Sequence, residues 1–169
     1  MLACTVDISN GDGITCALTD HEAQRAVAFV LAHEGVTRPC YLSLSVVSDD
    51  QMRELNLEWR HVDRCTDVLS LECERPDDRS LGEDEPCELG DVILAPGYIS
   101  RQACHMKTTP AEETTLLLVH ATLHLLGYDH VDEGDARLME AREDELVSQL
   151  AHAGAPIHVE LTRHGGDEG

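Results

Sequence analysis

The chain of 169 residues has few aromatic residues, a single lysine and no cysteine pair at metal-binding spacing. Aromatic residues make up 3% of the sequence, which disfavours a protein that stacks bases on an aromatic platform. The seven cysteines are dispersed and form no C-x-x-C pair, so neither a zinc ribbon nor a thioredoxin-type site is predicted. Because their number is odd and a chain of this size needs no disulfide staples, we expect reduced thiols.

Long apolar runs are also missing. The longest purely aliphatic stretch covers residues 116–119, far short of the roughly 20 residues that a membrane-spanning helix requires. The residues before Cys4 lack the charged leader and apolar core of a lipoprotein signal. We therefore expect no membrane association, and the predicted compartment is the cytoplasm.

Positive charge is scarce, since 12 basic residues stand against 33 acidic ones and the formal net charge is −21. This balance excludes a generic basic surface for nucleic acid and a polybasic membrane anchor. The acidic residues are segregated, however. Residues 93–111 contain none and carry Arg101 and Lys107, and residues 35–48 contain none and carry Arg38. These stretches predict a less negative face that receives phosphate.

Hydrophobic periodicity predicts one α+β domain, with a mixed sheet of about four strands covered by about five helices. The predicted strands cover residues 5–8, 41–47, 67–71 and 89–94. The predicted helices follow capping boxes at Thr19, Ser48 and Thr109, or cover residues 96–107 and 133–151. The domain is expected to span residues 1–155, with residues 156–169 as a flexible tail.

Two finer expectations concern packing. In the last helix, the apolar residues predicted to face the core are Leu138, Met139, Leu146, Val147 and Leu150. The helix after Ser48 is expected to carry Met52, Leu55 and Trp59 on its apolar side.

The acidic segment 73–88 is predicted to be a mobile, solvated loop rather than a calcium site, because it lacks the spacing of an EF-hand loop.

The segment with the clearest chemistry is residues 120–130, HATLHLLGYDH. His120 and His124 lie one turn apart on one face of the predicted helix. Gly127 can adopt the left-handed conformation that turns the chain back, which would bring His130 toward the same ion. Burying unpaired imidazoles in so apolar a helix would cost several kcal/mol. Three imidazoles with a fourth position open to water predict a catalytic zinc site.

Two further residues of this segment, Asp129 and Ala121, bear on its chemistry. Asp129 either accepts a hydrogen bond from an imidazole or caps the turn. The spacing H-x-x-x-H-x-x-G-x-x-H is shared with the metzincin peptidases, which carry a glutamate directly after the first histidine as general base. Ala121 occupies that position here, so peptide hydrolysis by that mechanism lacks its base.

With these motifs the sequence resembles the YbeY family, bacterial endoribonucleases of ribosomal RNA maturation that have a zincin-like fold. The resemblance rests on residues 120–130 and on further motifs in the same order, at residues 55–60, Asp63, 66–70, 89–93 and 139–140. It extends from about residue 40 to residue 150. The chain departs from the family at Ala121, where the family usually has glycine, and at Leu71-Glu72, where it often has Phe-Pro.

The resemblance implies that His120, His124 and His130 hold one zinc ion per chain and that Arg60 is the catalytic arginine. A planar guanidinium suits the charge that develops on non-bridging phosphate oxygens. On the residues alone, Arg60 is better described as a surface residue at a helix end, bound to a carboxylate, and the resemblance reverses that interpretation. Ser70 is a candidate for supporting the site, with a structural role at a strand end as the alternative; the same holds for Asp67.

The function implied by the resemblance is a zinc-dependent, single-strand-specific endoribonuclease. It would act in the 3′-end processing of small-subunit ribosomal RNA and in ribosome quality control. The expected substrate is ribosomal RNA, the protein partners that suit this role are a small-subunit ribosomal protein or an assembly GTPase, and neither DNA nor a membrane is expected. The alternatives are a zinc metallopeptidase of the same fold and a ribosome-assembly factor without enzymatic activity.

Overall fold

The computed structural model describes residues 4–129 and 132–155, so His130 and the predicted tail at residues 156–169 lie outside the described residues. The elements in chain order are β1 (Cys4–Asn10), α1 (Asp20–His33), β2 (Cys40–Val46), α2 (Asp49–Arg60), β3 (Val68–Glu72), β4 (Cys87–Leu94), α3 (Pro96–Met106), α4 (Pro110–Leu125) and α5 (Glu133–His152). The α+β prediction is confirmed: these residues form the expected four strands and five helices, with small shifts at their ends.

The strands form one mixed sheet in the order β1-β2-β4-β3. The pairs β1–β2 and β2–β4 are parallel, and β3 runs antiparallel to β4. Gly90 in β4 has a φ of 135°, and a Cβ built there would stand 2.1 Å from the carbonyl oxygen of Leu71 on β3. Only glycine permits this approach, so Gly90 allows β4 to pair closely with β3, the strand at the edge of the sheet.

Helix α4 occupies the centre of the domain and packs against α1, α3, α5, β3 and β4. Its aliphatic residues are buried almost all round, which explains the absence of a single apolar stripe in its sequence. Its threonine hydroxyls donate to carbonyl oxygens one turn earlier, as Thr122 does to Leu118 at 2.7 Å, and this satisfies polar groups inside the core. Within this buried helix, His120 and His124 are partly exposed.

Two packing predictions fail in part. Leu138 is 63% exposed although it was expected in the core, whereas Met139 and the other predicted core residues of α5 are buried. Residues of α1 and α4 cover the face of α5 that carries Met139, Leu146 and Leu150, and the side of the helix that carries Leu138 is left open to solvent. Trp59 is 51% exposed, because α2 is buried through Met52 and Asn56 while its last turn, residues 57–60, is exposed.

Most residues of the acidic segment 73–88 are exposed, as predicted, but the segment is also anchored to the domain, and its last two residues already belong to β4. Arg38 donates hydrogen bonds to the loop carbonyls of Pro76, Gly82 and Glu85, at 2.9, 2.8 and 2.5 Å. The loop side chain Leu81 is buried in the core cluster. Backbone hydrogen bonds at 73–89 and 74–88 continue the β3–β4 ladder into the loop. The loop therefore has a defined position beside β3.

The cysteines are free thiols, as predicted. Cys40 and Cys87 face each other across β2 and β4. Burial raises the pKa of Cys40 to about 11 and that of Cys87 to about 12, so both stay protonated near neutral pH and act as small apolar residues. Among the helices in the described ranges, none combines the length and the apolar character needed to cross a bilayer.

Candidate active site

The two described histidines of the motif lie side by side on α4, as their spacing predicts. The ring centroids of His120 and His124 are 4.8 Å apart, and the rings meet edge to face. Gly127 has a φ of 105° and turns the chain after the helix. The third predicted ligand, His130, lies outside the described residues, and its role stays a prediction. Within residues 4–129 and 132–155, no group of three or more potential metal ligands occurs.

A buried carboxylate supports the first histidine. Glu143 on α5 is only 4% exposed, and the Nδ1–H of His120 donates to its Oε1 at 3.0 Å. A carboxylate partner keeps the proton on Nδ1, so the lone pair that could bind a metal is on Nε2. An imidazole ligand oriented by a carboxylate is a common arrangement at zinc sites, so these residues fit a zinc ion chemically.

The sequence prediction missed Glu143, although a signal for it exists. On α5 it falls between Met139 and Leu146, at the spacing of residues that face the core. A carboxylate at such a position needs a partner, because an unpaired buried charge is costly. An acidic residue inside an apolar stripe was thus the recognisable mark of a supporting residue.

Beside His124 lies a polar cavity of about 330 Å³. The end of α2, strand β3, the loop after β3 and the turn after α4 all contribute to it. Its polar lining includes Arg60, Ser70, Glu72, Arg75, His124 and Asp129. The cavity therefore brings together the predicted metal-ligand helix and the predicted catalytic arginine, which are far apart in the sequence.

Arg60 is the last residue of α2, and its position is defined by a hydrogen bond of its side chain and by the end of the helix. Its Nη2 donates to the carbonyl oxygen of Ser70 on β3 at 2.6 Å. His61 follows in the left-handed conformation with a φ of 62° and ends the helix, a backbone state that is unusual for a residue other than glycine. The acceptor of Arg60 is thus a strand carbonyl rather than the carboxylate that a surface ion pair would supply.

The two candidates for site support have different places. Ser70 lines the cavity and holds Arg60 through its carbonyl. Asp67 is buried, and its Oδ1 accepts hydrogen bonds from the N–H of Val68 at 2.7 Å and from the hydroxyl of Thr66 at 3.3 Å. These contacts shape the start of β3, which is the structural alternative for Asp67. Asp129 lines the cavity.

A second arginine, which no sequence motif indicated, also lines the cavity. Arg75 belongs to the acidic loop, and its Nε and Nη2 donate to the carboxylate of Glu72 at 3.2 and 3.0 Å. Its Nη1 lies 2.9 Å from the place where a Cβ on Gly127 would stand. Because a loop residue reaches a site only through the path of the folded chain, periodicity could not have found it.

The cations predicted to form a less negative face, Arg101, Lys107 and Arg38, are not among the described residues that line this cavity. Arg101 pairs with Asp49 at 2.5 Å, and Arg38 holds the acidic loop. In the described part of the chain, the cations that line the cavity are Arg60 and Arg75. At this cavity the positive charge therefore comes from a helix end and a loop, and the phosphate-receiving face at residues 93–111 and 35–48 stays a prediction.

Comparisons with known proteins agree on one family. The family model described as "Endoribonuclease YbeY" matches residues 7–151. A protein of that name from Chloroflexus aurantiacus is 37% identical over 150 residues, covering 86% of this chain and 95% of the relative. Another from Desulfitobacterium hafniense is 36% identical over 140 residues, covering 76% and 89%. A third from Macrococcus caseolyticus is 32% identical over 144 residues, covering 85% and 94%.

A solved structure shows a similar fold. The solution structure of a Thermotoga maritima protein matches with a TM-score of 0.52 and 18% sequence identity. The match covers 99% of this chain and 100% of that protein. At this identity the likeness speaks for the arrangement of the elements alone.

Proposed function

This chain belongs to the endoribonuclease YbeY family, and on that premise we propose that it is a zinc-dependent endoribonuclease that cleaves single-stranded segments of ribosomal RNA. The observation that supports this most is the cavity that His124 and Arg60 line together. The proposed role is 3′-end processing of small-subunit ribosomal RNA and ribosome quality control in the cytoplasm. A small-subunit ribosomal protein or an assembly GTPase would be its protein partner.

In this proposal His120, His124 and His130 hold the zinc ion through imidazole nitrogens. When bound, the ion supplies Lewis acidity, which polarises a phosphoryl oxygen and activates water. Glu143 keeps the proton of His120 on Nδ1 and thereby orients the ring. Arg60, anchored on β3, donates to the non-bridging oxygens as negative charge develops on them.

The competing peptidase function is disfavoured by the position of Ala121. Its side chain is 1% exposed and packs in the main core cluster. The place that holds the general base of a metzincin therefore carries a methyl group turned into the core. A peptidase on this scaffold would need its base from another element.

Metal removal tests the proposal as a whole. We expect protein purified without chelator to retain about one zinc ion per chain and to cleave single-stranded RNA. Chelation should abolish cleavage, and added zinc should restore it. The measurements are elemental analysis and cleavage of structured RNA, with casein as the parallel substrate.

Each alternative predicts a different result in that experiment. Casein cleavage that is sensitive to chelator would favour the peptidase. RNA that is bound but never cleaved would favour an assembly factor without activity. A metal content clearly below one ion per chain, in protein that circular dichroism shows to be folded, would contradict both the zinc endoribonuclease and the zinc peptidase.

A separate prediction concerns Glu143. Glu143→Gln keeps the size of the side chain but removes the charge that faces His120, so zinc affinity should fall about tenfold or more. Competition with a chromogenic chelator measures that affinity. Glu140→Gln is the matched control, because Glu140 is exposed on the same helix. Equal zinc affinity in the two variants would show that Glu143 has only a packing role.

A further inference from the structure

We propose that Arg75 is a second phosphate-binding residue of the active site, which holds a phosphate of the RNA strand next to the one that Arg60 engages. This inference rests on the proposed function and adds a substrate-binding residue to it. It also gives a role to the acidic loop that carries Arg75. Three features of the molecule support it, namely the orientation of the guanidinium, the anchoring of the loop and the charges of the cavity.

The guanidinium of Arg75 is oriented by Glu72 and packs against the turn at Gly127. Glu72 engages the edge formed by Nε and Nη2, at 3.2 and 3.0 Å. The guanidinium lies against the turn that follows α4, with Nη1 2.9 Å, Cζ 3.0 Å and Nε 3.4 Å from the position of a Cβ on Gly127. Glycine at position 127 leaves the space that the guanidinium occupies. Among the described residues Nη1 has no hydrogen-bond acceptor, and its N–H groups suit a phosphate oxygen beside the helix that carries His124.

The loop is held firmly enough to place this side chain. Arg38 binds loop carbonyls on both sides of the acidic run, those of Pro76, Gly82 and Glu85. The backbone N–H of Glu74 donates to the carbonyl of Glu88 at 2.8 Å, which fixes the residue just before Arg75. A residue positioned by such contacts loses little conformational entropy when it binds a ligand.

The charges of the cavity favour an anion more than the chain as a whole does. Arg60 and Arg75 line it together with the acidic residues Glu72 and Asp129. Two cations thus face two carboxylates there, whereas the whole chain has 12 basic and 33 acidic residues. Arg60 alone would leave the described lining net negative, so the second arginine is what makes it compatible with a polyanion.

The test compares Arg75→Ala with Arg79→Ala. Arg79 lies in the same loop and is exposed, and within the described residues it does not line the cavity. Both variants remove one positive charge, so a general change of net charge affects them alike. The probe is a single-stranded RNA substrate of the zinc-loaded protein, and the protein concentration at half-maximal single-turnover rate is measured over a range of salt concentrations.

We expect Arg75→Ala to raise that half-maximal concentration about fivefold, with a smaller effect on the maximal rate. The slope of log affinity against log salt should fall by about 0.7, the contribution of one phosphate contact on a single strand. Arg75→Lys should keep the slope but lose part of the affinity, because a point charge lacks the planar fork. Zinc content should be unchanged in every variant.

The results separate this inference from the proposed function. If Arg75→Ala and Arg79→Ala behave alike in affinity and in salt slope, Arg75 does not bind RNA and the inference is wrong. If wild type cleaves no RNA in the same assay, the proposed function itself is at fault. A loss of zinc in Arg75→Ala would assign Arg75 to the integrity of the site instead, and would also overturn the inference.

Discussion

His124→Ala is expected to lose zinc and RNA cleavage together. The substitution removes one imidazole from the pair on α4 and leaves two predicted ligands, which cannot close a tight zinc shell. Changes outside the ligand shell alone cost about 10- to 100-fold in metal affinity or activity, so loss of a ligand should cost on the order of a hundredfold or more. Elemental analysis and single-turnover cleavage, carried out on the same preparation, check this result.

The melting temperature adds a readout that does not depend on catalysis. A bound metal stabilises the folded protein by mass action, so excess zinc should raise the melting temperature of wild type and not that of His124→Ala. His105→Ala, at an exposed position on α3, is the control and should behave as wild type. Full zinc content in His124→Ala would rule out His124 as a ligand.

Arg60→Ala should lose cleavage as His124→Ala does, but its zinc content should stay normal. Arg60 shares the cavity with His124 but donates to the carbonyl of Ser70 and not to an imidazole, so removing it leaves the imidazoles of α4 in place. A lost donor to transition-state charge costs about 3 kcal/mol, which lowers the rate on the order of a hundredfold. The lost hydrogen bond to Ser70 should cost only about 1 kcal/mol of stability.

Two further variants sharpen this result. Arg60→Lys should recover little activity, because an ammonium on a flexible stem does not reproduce a planar fork anchored on β3. Arg53→Ala is the matched control, since Arg53 lies on the same helix and pairs with Asp63 at the surface. If Arg60→Ala loses its zinc, the arginine is structural, and if it cleaves at the wild-type rate, Arg60 is not catalytic.

Local patterns predicted the helices well because each pattern acts within one or two turns. Thr19 and Ser48 form the capping boxes expected of them, and Thr109 accepts from the N–H of Glu112 at 3.2 Å. The i, i+4 spacing likewise placed His120 and His124 together, since a helix turns through a fixed angle per residue. Leu138 shows the limit, because the orientation of a helix depends on what packs against it.

The parts of the site that the sequence did not indicate all depend on contacts between distant elements. Glu143 reaches His120 only because α5 packs against α4. Arg75 reaches the cavity only because Arg38 holds the acidic loop beside β3. The periodicity of α5 marks Glu143 as a buried position but does not identify His120 as its partner, and no periodicity marks the loop residue Arg75.

The sequence by itself determined the elements, the histidine pair on one helix face, the free thiols and the family of the protein. Those features depend on short-range sterics, hydrogen bonding and motif order, which the linear chain already contains. The tertiary structure alone decided that Arg60 and His124 line one cavity, that a buried carboxylate binds His120, and that an acidic loop contributes a cation to the site. These relations arise from packing, because only the burial of apolar faces against each other brings residues of distant elements within hydrogen-bonding distance.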